Sequence, residues 1–352
     1  MNKQFFKIDK NIYLVDILSV LNVSYDDFFA VNSLNLKIED ILINDFVPFY
    51  FLKEQTLSFL SNVNYNLNSA SLGICILEKK NIKLLNDNII KIPFNNPKLG
   101  FSKILEHFVF KKSQHQSYGI HPTAIIHKSA KIGKNVNVGA YSIIHEGVVI
   151  ENDTYIAERV SVFQHCKIGK NCTIDPGVII ECSVLDDFIK VSSNSVIGKA
   201  GFGFIPNNYK TNLMPHIGGV IVGKGSVIGS NCTIDRGLIE NTIIGKSVMI
   251  DNQVHIGHNC VIDDLCILAG QVGLSGSVHL KKNVTVGGDV SIKDNITIGE
   301  NSIIAGASKV FSSFPKKSVI GGSPAQDLND WKRIVASQRL SLKKRKYYKN
   351  GN

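Results

Sequence analysis

At 352 residues the chain is too long for one small domain and suits two or three. Its 44% hydrophobic and 19% charged content exclude wholesale disorder, and no run reaches the ~18 to 20 apolar residues of a membrane helix. Lys7, Asp9, Lys10 and Asp16 interrupt the stretch where an export signal would be apolar. The expected location is therefore the cytoplasm, where seven cysteines stay reduced rather than forming a disulfide framework. With 39 basic and 29 acidic residues, net +10, an acidic partner is expected. Nucleic acid, an anionic membrane face and an acidic carrier protein each satisfy that charge.

Residues 1–110 read as a small α/β domain. Leu14, Ile17, Leu18 and Leu21 have helical spacing, Leu72 to Leu77 is a compact apolar strand, and a second helix is expected from Pro97 to Phe110. A polar linker follows over 111–119. From Ile120 every sixth residue up to Ile180 is Ile or Val, and the phase returns at Val222, Ile228 and Ile234. It slips, then runs from Ile244 through Val310 on Ile, Leu or Val. Two positions before each aliphatic the residue is mostly small or β-branched, and Gly, Asn or Asp follows it. Two inward side chains two apart make a short strand, and a residue tolerant of positive φ makes the turn. Three such hexapeptides form one coil of 18 residues. The fold class is mainly β: a parallel β-helix over 120–315, with eight to nine counted coils. Cys166, Cys172, Cys232, Cys260 and Cys266 occupy the small inward position and read as core fillers, whereas Cys75 and Cys182 lie outside the register. Residues 316–352 read as a helical, basic tail. Ser323-Pro324 supplies its start, Leu328, Trp331, Ile334 and Val335 its apolar stripe, and Lys343-Lys344-Arg345-Lys346 its end. That end is either a solvated helix terminus or a contact for the acidic partner.

A uniform solenoid needs no exceptions, so its exceptions are informative. Residues 185–220 interrupt the hexads and contain Gly201-Phe202-Gly203-Phe204, expected as a loop over the prism surface; no βαβ setting makes it a dinucleotide loop. Asp235-Arg236-Gly237 marks the slip. In Asp251-Asn252-Gln253-Val254-His255-Ile256-Gly257-His258-Asn259, Ile256 is inward, which puts His258 at an outward corner. One coil on, at the same corner, stands Gly276. An outward imidazole beside a backbone without a side chain leaves room for a substrate, and the adjacent amide can donate to a developing oxyanion. Asn252, Gln253 and Asn259 are its candidate substrate-binding neighbours. His255 and His279 read as inert surface residues. Because His255, His258 and His279 are not at equivalent corners, no metal site is expected.

These segments, in this order and spacing, resemble the UDP-3-O-(3-hydroxyacyl)glucosamine N-acyltransferases of lipid A biosynthesis. The resemblance extends over nearly the whole chain, and Phe59-Leu60-Ser61-Asn62-Val63-Asn64-Tyr65 matches that family's uridine-holding F-x-x-N-x-x-Y segment. It implies a left-handed parallel β-helix that assembles as a homotrimer with sites between neighbouring prisms, and an acidic acyl carrier protein as donor partner. It also implies UDP-3-O-acylglucosamine as acceptor. No bound cofactor is implied; 4′-phosphopantetheine enters on the carrier protein. No nucleic-acid partner is implied. By motif, His258 is the general base and the Gly276 N–H the oxyanion donor, with Phe59 and Tyr65 sandwiching uracil and Asn62 contacting it. Ala307 and Phe311 fall in the segment that borders the acyl chain. Asn295 stands where some members carry a second histidine. Two alternatives remain: another hexapeptide acyltransferase, such as the UDP-GlcNAc O-acyltransferase, which lacks the F-x-x-N-x-x-Y domain, and a non-enzymatic β-solenoid, which would need neither that segment nor the glycine-aromatic loop.

Overall fold

The computed structural model describes residues 1–8, 11–32, 36–61, 72–111, 119–206, 210–322, 333–334 and 336–340. The chain divides into two compact units, Met1–Gln116 and Ser117–Asn352.

In the first unit, strands Asp45–Phe46, Thr56–Leu60, Gly73–Leu77 and Ile89–Pro93 form a parallel sheet in chain order. Gly73–Leu77 is buried along its whole length, as an interior parallel strand must be. Helix Leu14–Leu21 buries the four aliphatics whose spacing defines its apolar stripe. Helix Pro97–Phe108 starts where the Asn96 side chain accepts from the Leu99 N–H, with Pro97 in its first turn. The expected helix was two residues longer. The chain instead leaves at Val109–Lys111 to pair antiparallel with Phe6–Ile8, which claims the backbone groups a further turn would use.

The second unit is a triangular parallel β-helix whose faces are three parallel sheets of nine, ten and ten strands. Each strand pairs with its counterpart one coil away, as Lys131 with Val149 and Val149 with Lys167. The sixth-position aliphatics are the core: Ile168, Ile174, Ile234, Ile256, Leu274 and Val286 are wholly buried. The corners use the left-handed backbone region every six residues, and asparagine holds many of them, including Asn135, Asn171, Asn259, Asn283 and Asn295. The five register cysteines are buried among the aliphatics, as is Cys75 in the first unit; Cys182 is exposed.

Two boundaries differ from the sequence reading. The interruption does not begin at residue 185, because Leu185, Val191 and Ile197 are buried core residues on strands Ser183–Leu185, Lys190–Val191 and Val196–Ala200. One residue is missing from the corner at Cys182, so the ladder step there is 17, Lys167 pairing with Val184, and the phase shifts by one. The true excursion lies between Ala200 and Val220 and includes the antiparallel hairpin of Phe204–Pro206 with Thr211–Leu213. The prism also continues past residue 315. Strand Val319–Ile320 pairs with Ile303–Ile304, and the strand count exceeds eight to nine coils. Of the C-terminal segment, residues 333–334 and 336–340 are helical; Ser323, Pro324, Leu328, Trp331, Val335 and the basic end lie outside the described residues.

Candidate active site

The corner that follows strand His255–Ile256 is built by close approach of successive coils. A Cβ on Gly257 would stand 2.8 Å from the Gly276 nitrogen, so only glycine lets the two backbones meet there. The His258 carbonyl accepts from Ser277 N–H at 2.8 Å, which ties this corner to the next. His258 then projects over Gly276. A Cβ on Gly276 would fall 2.7 Å from both Nε2 and Cε1 of the imidazole. The N–H of Gly276 has no hydrogen-bond partner among the described residues, while its carbonyl accepts from Asn295 N–H at 3.1 Å.

The protonation pattern of His258 follows from its neighbours. Oδ1 of Asn259 accepts from the Leu238 N–H at 2.9 Å, and its Nδ2 donates to the Glu240 carbonyl at 3.4 Å. Those backbone groups fix which end of the amide is oxygen. The same Oδ1 lies 3.0 Å from Nδ1 of His258, so Nδ1 carries the proton and donates. Nε2 is left with a lone pair directed into the recess over Gly276. Asn259, expected to bind substrate, is thus engaged with the imidazole and the 238–240 turn. Its own N–H donates to Thr242 Oγ1, whose hydroxyl donates to the Asp235 carbonyl.

Both sequence irregularities converge on this corner. The four extra residues between Ile234 and Ile244 widen the coil step to 22, pairing Thr233 with His255, and form the turn that holds Asn259. The Ala200–Val220 excursion brings Gly201 and Gly203 against two imidazoles. A Cβ on Gly201 would meet His258 Cβ at 2.7 Å and His216 Nε2 at 2.9 Å; one on Gly203 would meet His216 Cε1 at 3.0 Å. His216, buried within the excursion, crosses His258 edge to face with centroids 5.0 Å apart. Arg236 anchors the loop, donating from Nε to the His216 carbonyl and from Nη1 to the Gly198 carbonyl, each at 2.9 Å. Burial raises the Asp235 carboxyl above the usual aspartate range, against the opposing pull of His255, His258, His216 and Lys199. His216 carried no signal in the sequence, and Asp235 was marked only as the place where the register slips. His216 sits in a stretch with no periodicity, and Asp235 occurs where the register fails.

The remaining candidates are dispersed. His255 lies on the strand, half exposed, with Nδ1 2.7 Å from Thr233 Oγ1. His279 bonds Asp263 at 3.1 Å. Asn252 and Gln253 occupy the preceding corner of the triangle: Asn252 Oδ1 accepts from Ser230 N–H, and Gln253 Oε1 from Gln271 Nε2. Asn295 continues the Gly276 corner one coil on and bonds Asp294. Ala307 and Phe311 are both exposed on the prism exterior. Among the described residues, no three His, Cys, Asp or Glu side chains are grouped to hold a metal ion.

In the first unit, Phe59 lines a cavity of about 560 Å³ with Phe46, Tyr50 and Phe101. Its ring lies 4.9 Å from that of Phe101. The buried Ser58 hydroxyl also faces this cavity and has no hydrogen-bond partner among the described residues. Asn62 and Tyr65 lie outside the described residues.

A coil of hexapeptides carrying an outward imidazole against a bare glycine corner marks an acyltransferase of the hexapeptide class. The family described as "Bacterial transferase hexapeptide (six repeats)" matches residues 241–276, the segment that contains this corner. A second, "GMPPB C-terminal domain", matches 115–201. The UDP-3-O-acylglucosamine N-acyltransferase of Coxiella burnetii (strain Dugway 5J108-111) is 33% identical over 244 residues, 68% of this chain and 71% of that one. UDP-3-O-acylglucosamine N-acyltransferase 1 of Francisella tularensis subsp. holarctica (strain OSU18) is 37% identical over 199 residues, 56% of each chain. The chain belongs to the UDP-3-O-acylglucosamine N-acyltransferase family. Among solved structures, an Arabidopsis UDP-N-acetylglucosamine acyltransferase superposes with a TM-score of 0.53 at 25% identity, over 61% of this chain and 76% of that one.

Proposed function

We propose that this acyltransferase moves an (R)-3-hydroxyacyl chain from acyl carrier protein to the 2-amino group of UDP-3-O-acylglucosamine. The lone pair on His258 Nε2, beside Gly276, carries the assignment. The neutral amine attacks the thioester carbonyl and Nε2 takes the proton it sheds. Negative charge gathers on the former carbonyl oxygen, where the Gly276 N–H donates to it. The carbon–sulfur bond then breaks, the phosphopantetheine sulfur leaves as thiol with the proton returned from His258, and an amide remains. Asn259 keeps the proton on Nδ1 throughout, so the same nitrogen accepts and returns it.

Uracil is placed on Phe59, with Asn62 and Tyr65 completing its seat, because flat aromatic rings suit a base. The excess of basic residues suits an acidic carrier protein. A homotrimer in the cytoplasm, with substrate held between neighbouring prisms, completes the reading; no helix of the described residues is long and apolar enough to cross a membrane. The test is direct transfer of a 3-hydroxyacyl group from purified acyl carrier protein to UDP-3-O-acylglucosamine. Transfer to UDP-GlcNAc instead would favour the O-acyltransferase alternative, and no transfer to either would refute both.

A further inference from the structure

Outside the residues assigned so far, one buried polar atom borders the candidate base. His216 is 4% exposed, and its Nε2 makes no hydrogen bond among the described residues. An orphaned buried acceptor is destabilising, and an apolar ring in its place would avoid that cost. Its tautomer is settled locally. Nδ1 lies 2.9 Å from the Met214 carbonyl oxygen, which can only accept, so Nδ1 holds the proton and Nε2 is a bare lone pair. In that tautomer the ring dipole has its negative end at Nε2. His216 Nε2 and His258 Cδ2 both lie within 3.0 Å of the point a Cβ on Gly201 would occupy, less than about 6 Å from each other.

We propose that His216 is a positioning residue for His258. Its Nδ1–H is held by Met214, and its Nε2 lone pair is turned toward the edge of the base, fixing that ring and favouring the imidazolium it becomes. The glycines at 201 and 203 let the loop backbone close over the pair and keep water from quenching the lone pair. Other groups act on the same ring. Asp235 draws positive charge to it, and His255 and Lys199 share the Asp235 carboxylate. Arg236 is neutralised in part by Glu181 at 3.7 Å while it holds the His216 carbonyl.

The inference rests on His258 being the base, and the experiment separates the two. In the full-length enzyme, kcat, KM and melting temperature are measured for His216→Phe, His216→Gln and His258→Ala. Phe fills the space without a lone pair, whereas Gln offers an amide N–H and a carbonyl oxygen in place of Nδ1 and Nε2. Expected for His216→Phe is an unchanged or raised melting temperature, a kcat about tenfold or more lower, the scale of a preorganised dipole at a charged transition state, and a KM within about twofold. His216→Gln should recover at least about fivefold of that kcat. A packing role predicts the reverse order, Phe as good as histidine and Gln worse, and that order overturns the proposal, as does equal loss in both. If His216→Phe does not fold, His216→Met supplies the apolar comparison. His258→Ala with undiminished turnover would instead refute the base assignment, whatever position 216 does.

Discussion

The His258–Gly276 recess can be tested by adding one methyl group. Gly276 does not use the left-handed backbone region, so alanine meets no conformational strain there. Its Cβ would fall 2.7 Å from Nε2 and Cε1 of His258, well inside ordinary contact distance. The neighbour is the far end of a side chain rather than backbone, so the fold survives and the imidazole gives way. To restore van der Waals contact the ring must retreat by most of an ångström, which draws Nε2 from the amine and strains the 3.0 Å bond to Asn259. Displacement of a reacting group by about 1 Å costs on the order of 10²-fold in rate. The Gly276 N–H itself remains, so the loss reads on geometry. Gly273→Ala is the matched control: it lies in the strand leading to the same corner, and its Cβ would meet nothing within 4 Å. Steady-state kcat and KM, with thermal melting of each variant, make the comparison. Expected are kcat about 10² lower for Gly276→Ala, near-normal turnover for Gly273→Ala and similar melting for both. A Gly276→Ala enzyme with wild-type kcat would refute a reaction centred on this corner.

Four further outcomes are expected. His258→Ala should reduce kcat by about 10² to 10⁴ with the fold intact, whereas His255→Ala should have a much smaller effect in the same assay. Phe59→Ala should raise the acceptor KM about five- to a hundredfold, the value of one base stack at ~1–3 kcal/mol, and leave the donor KM unchanged; an unchanged acceptor KM removes the uridine assignment. Under native conditions a thiol reagent should label one cysteine quickly, the exposed Cys182, because burial pushes Cys260 up to about 12 and Cys166, Cys172 and Cys266 up to about 11; rapid labelling of several thiols would contradict the packed core. Asp235 has its native carboxyl raised, so the stability it contributes is present below the usual aspartate pKa and is lost as pH rises through the raised one. Asp235→Asn should therefore gain on the wild type in urea denaturation as pH rises above about 4, and a pH-independent difference would count against the burial.

The prism was legible because each hexapeptide repeats the same compromise: one large inward aliphatic, one small inward residue and one corner. Periodicity makes such evidence cumulative, and Leu14, Ile17, Leu18 and Leu21 worked likewise for the helix. Departures of a single residue were not legible. The missing residue at Cys182 left the side-chain pattern of Leu185, Val191 and Ile197 intact but out of phase, and a fixed step of six reads it as a break. At the site, His258 and Gly276 stood out because the repeat fixes where their corner falls. Asn259 was noticed but its role was not, since only the 238–240 turn determines which end of its amide faces the imidazole. His216 lies 42 positions from His258, in a stretch whose path over the prism no local rule specifies.

The coil ladder has a metrical consequence. Strands stack at about 4.8 Å, so any two sites on one face are separated by whole multiples of that spacing. From strand His255–Ile256 to Lys309–Val310 there are three such steps, roughly 14 Å. Inserting or deleting 18 residues in between would lengthen or shorten this span by one increment without disturbing any side chain's orientation. Chain added at a corner, as between Ala200 and Val220 and between Arg236 and Thr242, leaves the span unaltered and extends sideways instead. Axial distance and lateral relief are therefore independent variables in this architecture, the first digital and the second continuous.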